Sequence, residues 1–170
     1  SISLIPTEAI PALQNNATVN YIKVRFGYGT SAGYPDPYQT RNVLGTATNQ
    51  FVTGDGSVLN INTVSDRLGN PNLMAETHTE LEAGLEARLL QNRIGIDVSV
   101  YNKTSNDLII DLDLDPATGF TNTTVNAASV RNQGIEAGLN LVPIKGDFTW
   151  NIDLNYTKNI NEVLSVADGV

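Results

Sequence analysis

The sequence contains no cysteine, and only one histidine, one methionine and one tryptophan among 170 residues. Without cysteine there is no disulfide framework, no thiolate-ligated metal and no thiol nucleophile. Charged residues are also scarce, at 16%, and the acidic ones dominate: 18 Asp and Glu against 10 Lys and Arg give a formal net charge of -8. A phosphate backbone needs clustered Lys and Arg, so this balance argues against nucleic-acid binding. No run approaches the roughly 18 apolar residues of a membrane-spanning helix. Membrane strands stay open, because their signal per segment is much weaker. The N-terminus lacks a basic segment followed by an apolar core, so no signal peptide is expected here. What the chain does hold is 41% hydrophobic residues, 14 glycines and many Asn and Thr. That composition suits strands and turns within one domain's length, not disorder.

The most ordered pattern runs from residue 77 to residue 101. One parity carries Thr77, Thr79, Leu81, Ala83, Leu85, Ala87 and Leu89, then Ile94, Ile96, Val98 and Val100. The other carries His78, Glu80, Glu82, Gly84, Glu86 and Arg88, then Gly95, Asp97, Ser99 and Tyr101. A period of two is the strand signature, since successive side chains point to opposite sides of a sheet. The break at Leu90-Gln91-Asn92-Arg93 has the length of a tight connection, so 77–89 and 93–103 read as a hairpin. The second strand has room to continue through Asp107-Leu108-Ile109-Ile110 toward Asp115, before Pro116-Ala117-Thr118-Gly119 turns the chain.

The same alternation predicts strands over 21–28, 131–142 and 148–159. Residues 143–147 form a short turn, and residues 1–20 a connector with one helical turn near 7–13. Residues 29–76 and roughly 106–130 are expected as long loops. Short turns alternating with long loops are the asymmetry of an outer-membrane barrel. Several strands also reach the roughly 9–11 residues that span a bilayer. The fold class expected is therefore all-β: an antiparallel up-and-down meander, a segment of a transmembrane β-barrel with long external loops. Aromatic Phe148, Trp150 and Tyr156 stand where a girdle would lie. A soluble sheet with one wet face gives the same alternation, and period two alone does not separate the two.

Specific chemistry is thin. Asp111, Asp113 and Asp115 share one strand face, as carboxylates that bind calcium sometimes do. The run lacks an EF-hand's glycine and closing glutamate, with Pro116 and Asn122 in those places. Glu80, Glu82 and Glu86, at spacings of two and four, read more simply as a polar strand face than as paired catalytic acids. His78 has no Ser or Cys motif around it. No catalytic residue, metal site or cofactor is expected. Tyr34, Tyr38 and Phe51, in the long loop, are the candidate ligand-binding residues, as aromatics able to stack on sugar rings.

Several motifs carry a family resemblance. Asn70-Pro71-Asn72-Leu73-Met74-Ala75-Glu76, Glu80-Leu81-Glu82-Ala83-Gly84-Leu85-Glu86 and Asn92-Arg93-Ile94-Gly95-Ile96-Asp97-Val98-Ser99-Val100-Tyr101-Asn102-Lys103 lead in order to Val130-Arg131-Asn132-Gln133-Gly134-Ile135-Glu136 and Phe148-Thr149-Trp150. Together with Ile22-Lys23-Val24-Arg25-Phe26-Gly27-Tyr28-Gly29, they resemble the barrel of the SusC/RagA family of TonB-linked outer-membrane receptors. The resemblance runs over residues 21–163 and departs at 29–33 and at Met74-Ala75. It implies residues 1–170 as an internal piece of a barrel of roughly 22 strands, with no plug domain. It also implies a place in the bacterial outer membrane, in contact with lipid and with the rest of the parent barrel and its plug. The implied partners are TonB, a SusD-like lipoprotein lid and an oligosaccharide or peptide substrate. Two other classes stay open on the residues: a soluble β-sheet binding or adhesion domain, and a glycan-processing enzyme.

Overall fold

The computed structural model describes residues 1–14 and 16–166. Strands carry the fold: β1 (Ile2–Leu4), β2 (Val19–Gly33), β3 (Leu44–Val52), β4 (Val58–Val64), β5 (Arg67–Leu68), β6 (Glu76–Leu89), β7 (Ile94–Asp113), β8 (Asn122–Ile144) and β9 (Trp150–Val166). One helical turn, α1 (Pro6–Ala9), and two 3-10 turns at Pro11–Leu13 and Pro116–Thr118 complete the described elements. In the main sheet β2, β6, β7, β8 and β9 are neighbours in chain order, which is the expected meander. β3 and β4 form a separate two-stranded ribbon.

The chain divides into two compact units. Ser1–Ser31, His78–Ser105 and Val130–Leu164 form the first; Ala32–Thr77, Asn106–Ser129 and residues 165–166 form the second. In the first unit, the Leu90 amide donates to the Thr18 carbonyl at 2.8 Å, and the Val142 amide to the Arg93 carbonyl at 2.8 Å. The start of β2, the 90–93 turn and the end of β8 therefore sit together, as an antiparallel meander requires. Leu90, Gln91 and Asn92 all take positive φ, at 53°, 57° and 61°. Asparagine tolerates that region, whereas leucine and glutamine enter it at a cost.

Four expectations need correction. Residues 1–20 are more than a connector, because β1 pairs antiparallel with β2, Ile2 opposite Phe26 and Leu4 opposite Val24. Beyond that pairing, the Thr7 hydroxyl accepts the Ile22 amide at 3.2 Å and satisfies part of the edge that β1 leaves open. The 29–76 loop is largely extended: β2 continues to Gly33, and β3, β4 and β5 follow. The departure at 29–33 thus lies in a strand and not in a loop. The second long loop shrinks to residues 114–121, because β7 runs to Asp113 and β8 starts at Asn122. Phe148 precedes β9, and Tyr156 lies inside that strand and not near its end.

One cause runs through the strand corrections. Alternation marks a strand only where one face is apolar. Asn102–Asn106 and 122–129 are polar or small on both faces, yet they stay paired because a neighbouring strand supplies backbone partners. Asp107, at φ 56°, breaks the regular geometry of β7 without ending it.

No apolar core underlies the sheet. Among the described residues the buried hydrophobic ones are Ala87 and Ala127 alone. Val24, Phe26, Tyr28, Leu81, Leu85, Val100, Trp150, Leu154 and Tyr156 are large, apolar and exposed. Ile96, Val98, Ala137, Leu139, Leu154 and Tyr156 line one shared apolar surface. Going along each wall strand with this parity, the series turns polar at Thr30, Thr79, Asn102, Gln133 and Lys158. Beyond that limit Arg131 and Glu162 pair at 3.6 Å. On β9 apolar residues return past this limit at Ile160 and Leu164. An apolar band with a polar limit at this end fits the outer surface of a membrane barrel, about 25 Å tall in such proteins.

Candidate functional site: a polar face and a loop recess

The opposite parity of the first unit forms a polar face. Arg25 on β2 donates to both carboxylate oxygens of Asp97 on β7, at 2.8 and 3.2 Å, and lies 3.7 Å from Glu82 on β6. It reaches two strands away by lying over Gly84, where a Cβ would strike its side chain. Gly134 is likewise covered by Tyr101, and Gly95 sits beside Asn140, which donates to Asp153 at 2.6 Å. Gly138 neighbours Asn155. Glycines at these strand positions let long neighbours lie flat across the sheet. Gly95 and Gly138 also open a recess of about 390 Å³ edged by Glu86, Asp97, Asn140 and Asp153. Arg88 pairs with Glu86 at 3.2 Å and stands 5.4 Å over the Tyr21 ring.

Glu82 and Glu86 each lie beside an arginine, in a row of charged side chains along the sheet. His78 Nδ1 is 2.8 Å from the Ser105 hydroxyl, a tie between β6 and β7. The ion pairs are partly solvated, so each contributes within about 1 kcal/mol. Such a face suits a wet lumen.

In the second unit Arg67 is the organising residue. Its guanidinium donates to both oxygens of Asp111, at 2.8 and 3.1 Å, and to the Thr124 hydroxyl at 2.5 Å. Thr124, 1% exposed, donates in turn to Asp111 at 2.8 Å. This triad fixes β5 parallel to β8, with Arg67 opposite Asn122 and Leu68 opposite Thr123. The Thr124 hydroxyl first, and the Arg67 guanidinium second, hold the Asp111 carboxyl below the usual carboxylate range. Asp115 accepts the Ala117 amide at 2.8 Å and caps the Pro116–Thr118 turn, while Asp113 is exposed. Asp111 and Asp115 are thus tied into different local contacts. Among the described residues no three His, Cys, Asp or Glu side chains stand where they could hold a metal ion.

The three loop aromatics lie in this unit, at separate places. Tyr34 follows β2 and is 79% exposed. Phe51 is on β3 opposite Leu59, 54% exposed, on a ribbon whose β4 is exposed throughout. The ribbon closes at 53–57, where Asp55 accepts from the Thr53 and Ser57 hydroxyls and the Ser57 amide. Those contacts, Thr53 foremost, hold the Asp55 carboxyl below its ordinary value. Tyr38 is 73% exposed at φ 71°, a region costly for a bulky side chain. It lines a recess of about 320 Å³ with Asp36, Gln39, Arg41, Ser65 and Arg67. Aromaticity and a place in a long loop single out Tyr38 in the sequence. Nothing there points to Arg41 and Arg67, which the fold brings beside it, since a lone loop arginine belongs to no pattern. The polar-face glycines were visible in the alternation, although the side chains crossing them were not.

An exposed apolar band on one side of a meander, a charged face on the other and no buried core define a segment of an outer-membrane barrel wall. The comparisons agree. The family profile described as TonB dependent receptor-like, beta-barrel, matches residues 14–168. TonB-dependent receptor P26 of Formosa agariphila is 33% identical over 157 residues, covering 91% of this chain and 16% of that protein. TonB-dependent receptor SusC of Bacteroides thetaiotaomicron is 30% identical over 154 residues, covering 87% of this chain and 15% of that protein. The structure of the RagAB peptide transporter matches with a TM-score of 0.76 at 21% identity, over 99% of this chain and 18% of that one. The chain belongs to the TonB-dependent receptor β-barrel family and is of the SusC/RagA type. It spans about a sixth of the length of these curated relatives. Members of the family are outer-membrane transporters and not enzymes.

Proposed function

We propose that the chain supplies wall strands and external loops to an importer of glycans or peptides. In this reading TonB passes on the energy, a SusD-like lipoprotein covers the opening, and Tyr34, Tyr38 and Phe51 touch the cargo. The whole chain, residues 1–170, acts as part of one barrel, with wall strands over 21–163. The observation that carries the reading is an exposed apolar band opposite a charged face, with only Ala87 and Ala127 as buried hydrophobic residues among those described, an arrangement that a lipid-embedded, water-filled barrel accommodates. The substrate classes come from relatives: one is named SusC and another structure is a peptide transporter.

The test is uptake in cells making the intact receptor. Labelled oligosaccharide or peptide should accumulate only with the receptor and TonB both present. Replacing Tyr34, Tyr38 and Phe51 together by alanine should reduce uptake at low substrate concentration while receptor abundance holds. Unchanged uptake in the triple variant would remove the aromatics from the cargo path, and TonB-independent uptake would remove the energised mechanism.

A further inference from the structure

The geometry points to the Tyr38 recess as a site for a carboxylate-bearing sugar, held by ring stacking on Tyr38 and by an ion pair with Arg41. This rests on the proposed importer reading and names a substrate class within it. The recess is built before any ligand arrives. The Asp36 amide donates to the Gln39 side chain at 2.9 Å, and the Arg41 amide to the Tyr38 carbonyl at 3.3 Å. Facing chain closes on this turn: the Asn70 amide donates to the Gln39 carbonyl at 2.9 Å, the Gly69 amide to Asn42 at 2.7 Å and the Ser65 amide to the Val43 carbonyl at 3.2 Å. Gly69 sits so close to the Arg41 backbone that no side chain fits there. Tyr38 is thus fixed in a strained conformation with most of its surface open, and backbone strain of this kind persists where the surroundings over-determine it.

Charge then selects the ligand. Of the six arginines, Arg25, Arg67, Arg88 and Arg131 are each in an ion pair. Arg93, which has none among the described residues, lies in the first unit at the 90–93 turn and not in this recess. The Arg41 guanidinium is exposed and has no ion pair or side-chain hydrogen bond among the described residues. Its planar fork matches a carboxylate bidentately. Asp36, Gln39 and Ser65 offer acceptors and donors suited to hydroxyls, and the recess lacks the deep apolar pocket that anchors a peptide side chain.

Binding to the intact receptor in detergent, measured by calorimetry with a galacturonic acid oligomer, a neutral maltose oligomer of equal length and an acidic peptide, tests this. Wild type should bind the galacturonate oligomer most tightly. Arg41→Gln should weaken that binding about tenfold or more, with Arg41→Lys recovering part of it, and leave the neutral oligomer unchanged. Tyr38→Ala should weaken both sugars, and heat-stable migration of each variant on detergent gels checks folding. Equal galacturonate binding by wild type and Arg41→Gln would overturn the inference. So would an Arg41-dependent preference for the peptide, or no galacturonate binding by wild type. If the neutral oligomer still binds through Tyr38 in those cases, only the acidic-sugar assignment fails and the importer reading stands.

Discussion

At the residue scale the polar face depends on what its glycines leave out. Gly84 and Gly134 look alike in sequence, each an interruption on a charged parity, but their surroundings differ. A Cβ at Gly84 would meet the flexible Arg25 side chain, which can swing aside and lose its Asp97 pair. A Cβ at Gly134 would meet the Lys158 carbonyl and the Tyr101 hydroxyl, both at 2.6 Å, and a backbone atom cannot swing aside. Gly134→Ala should therefore destabilise the intact barrel by about 1–3 kcal/mol, and Gly84→Ala by less than about 1 kcal/mol. The temperature at which folded receptor loses its fast migration on detergent gels ranks them; equal losses would refute the crossing assignments. Asp111 gives a pH prediction. Its carboxyl is depressed in the folded state, so its stabilisation is complete above the unfolded value of about 3.9 and fades as pH falls below that. Protection of the Thr121 amide, which donates to the Asp66 carbonyl at 2.8 Å, should drop in that acid range, and Asp111→Asn should lower it already at neutral pH. Protection indifferent to both changes would mean that the triad does not hold β5. None of this was legible beforehand, because which side chain crosses which glycine is a matter of strand register, not of local pattern.

At the element scale, legibility followed the solvent. The 77–89 strand was readable almost to its ends because lipid on one side and water on the other impose a strict period. The upper reach of β7 was readable only as a continuation toward Asp115, which β7 nearly attains. The start of β8 was not readable, because 122–129 is mostly polar or small on both faces and lacks the contrast that marks a strand. The 29–76 segment hid a ribbon because β4 exposes apolar and polar residues alike, with no contrast between its faces. Facing can be tested by substitution at neighbouring positions. Leu85, exposed on the apolar band, should tolerate arginine poorly, at about 2–4 kcal/mol if it lies near mid-membrane. Glu86→Gln on the polar face should cost little. The fraction of each variant that inserts and folds into lipid vesicles measures the difference, and equal folding would reverse or abolish the assigned faces.

At the scale of the whole molecule, the described residues bury little apolar surface: Ala87 and Ala127 are the buried hydrophobic ones. Its strands can be satisfied in a closed barrel, where lipid covers the apolar band and neighbouring strands pair the edges β2 and β9 leave partly open. Isolated in water, it has no partner for either. Apolar patches beyond a few hundred Å² seldom survive on a soluble monomer, and unpaired strand edges template pairing with other chains. The soluble-module alternative, open on sequence alone, has no buried core to stand on. The decisive measurement is sedimentation of the isolated chain at low micromolar concentration, with and without detergent, combined with amide exchange. A barrel-wall segment should sediment as aggregates or higher oligomers in plain buffer and disperse only in detergent. A compact 18.3 kDa monomer in plain buffer, with strongly protected amides in β6 and β7, would contradict the account.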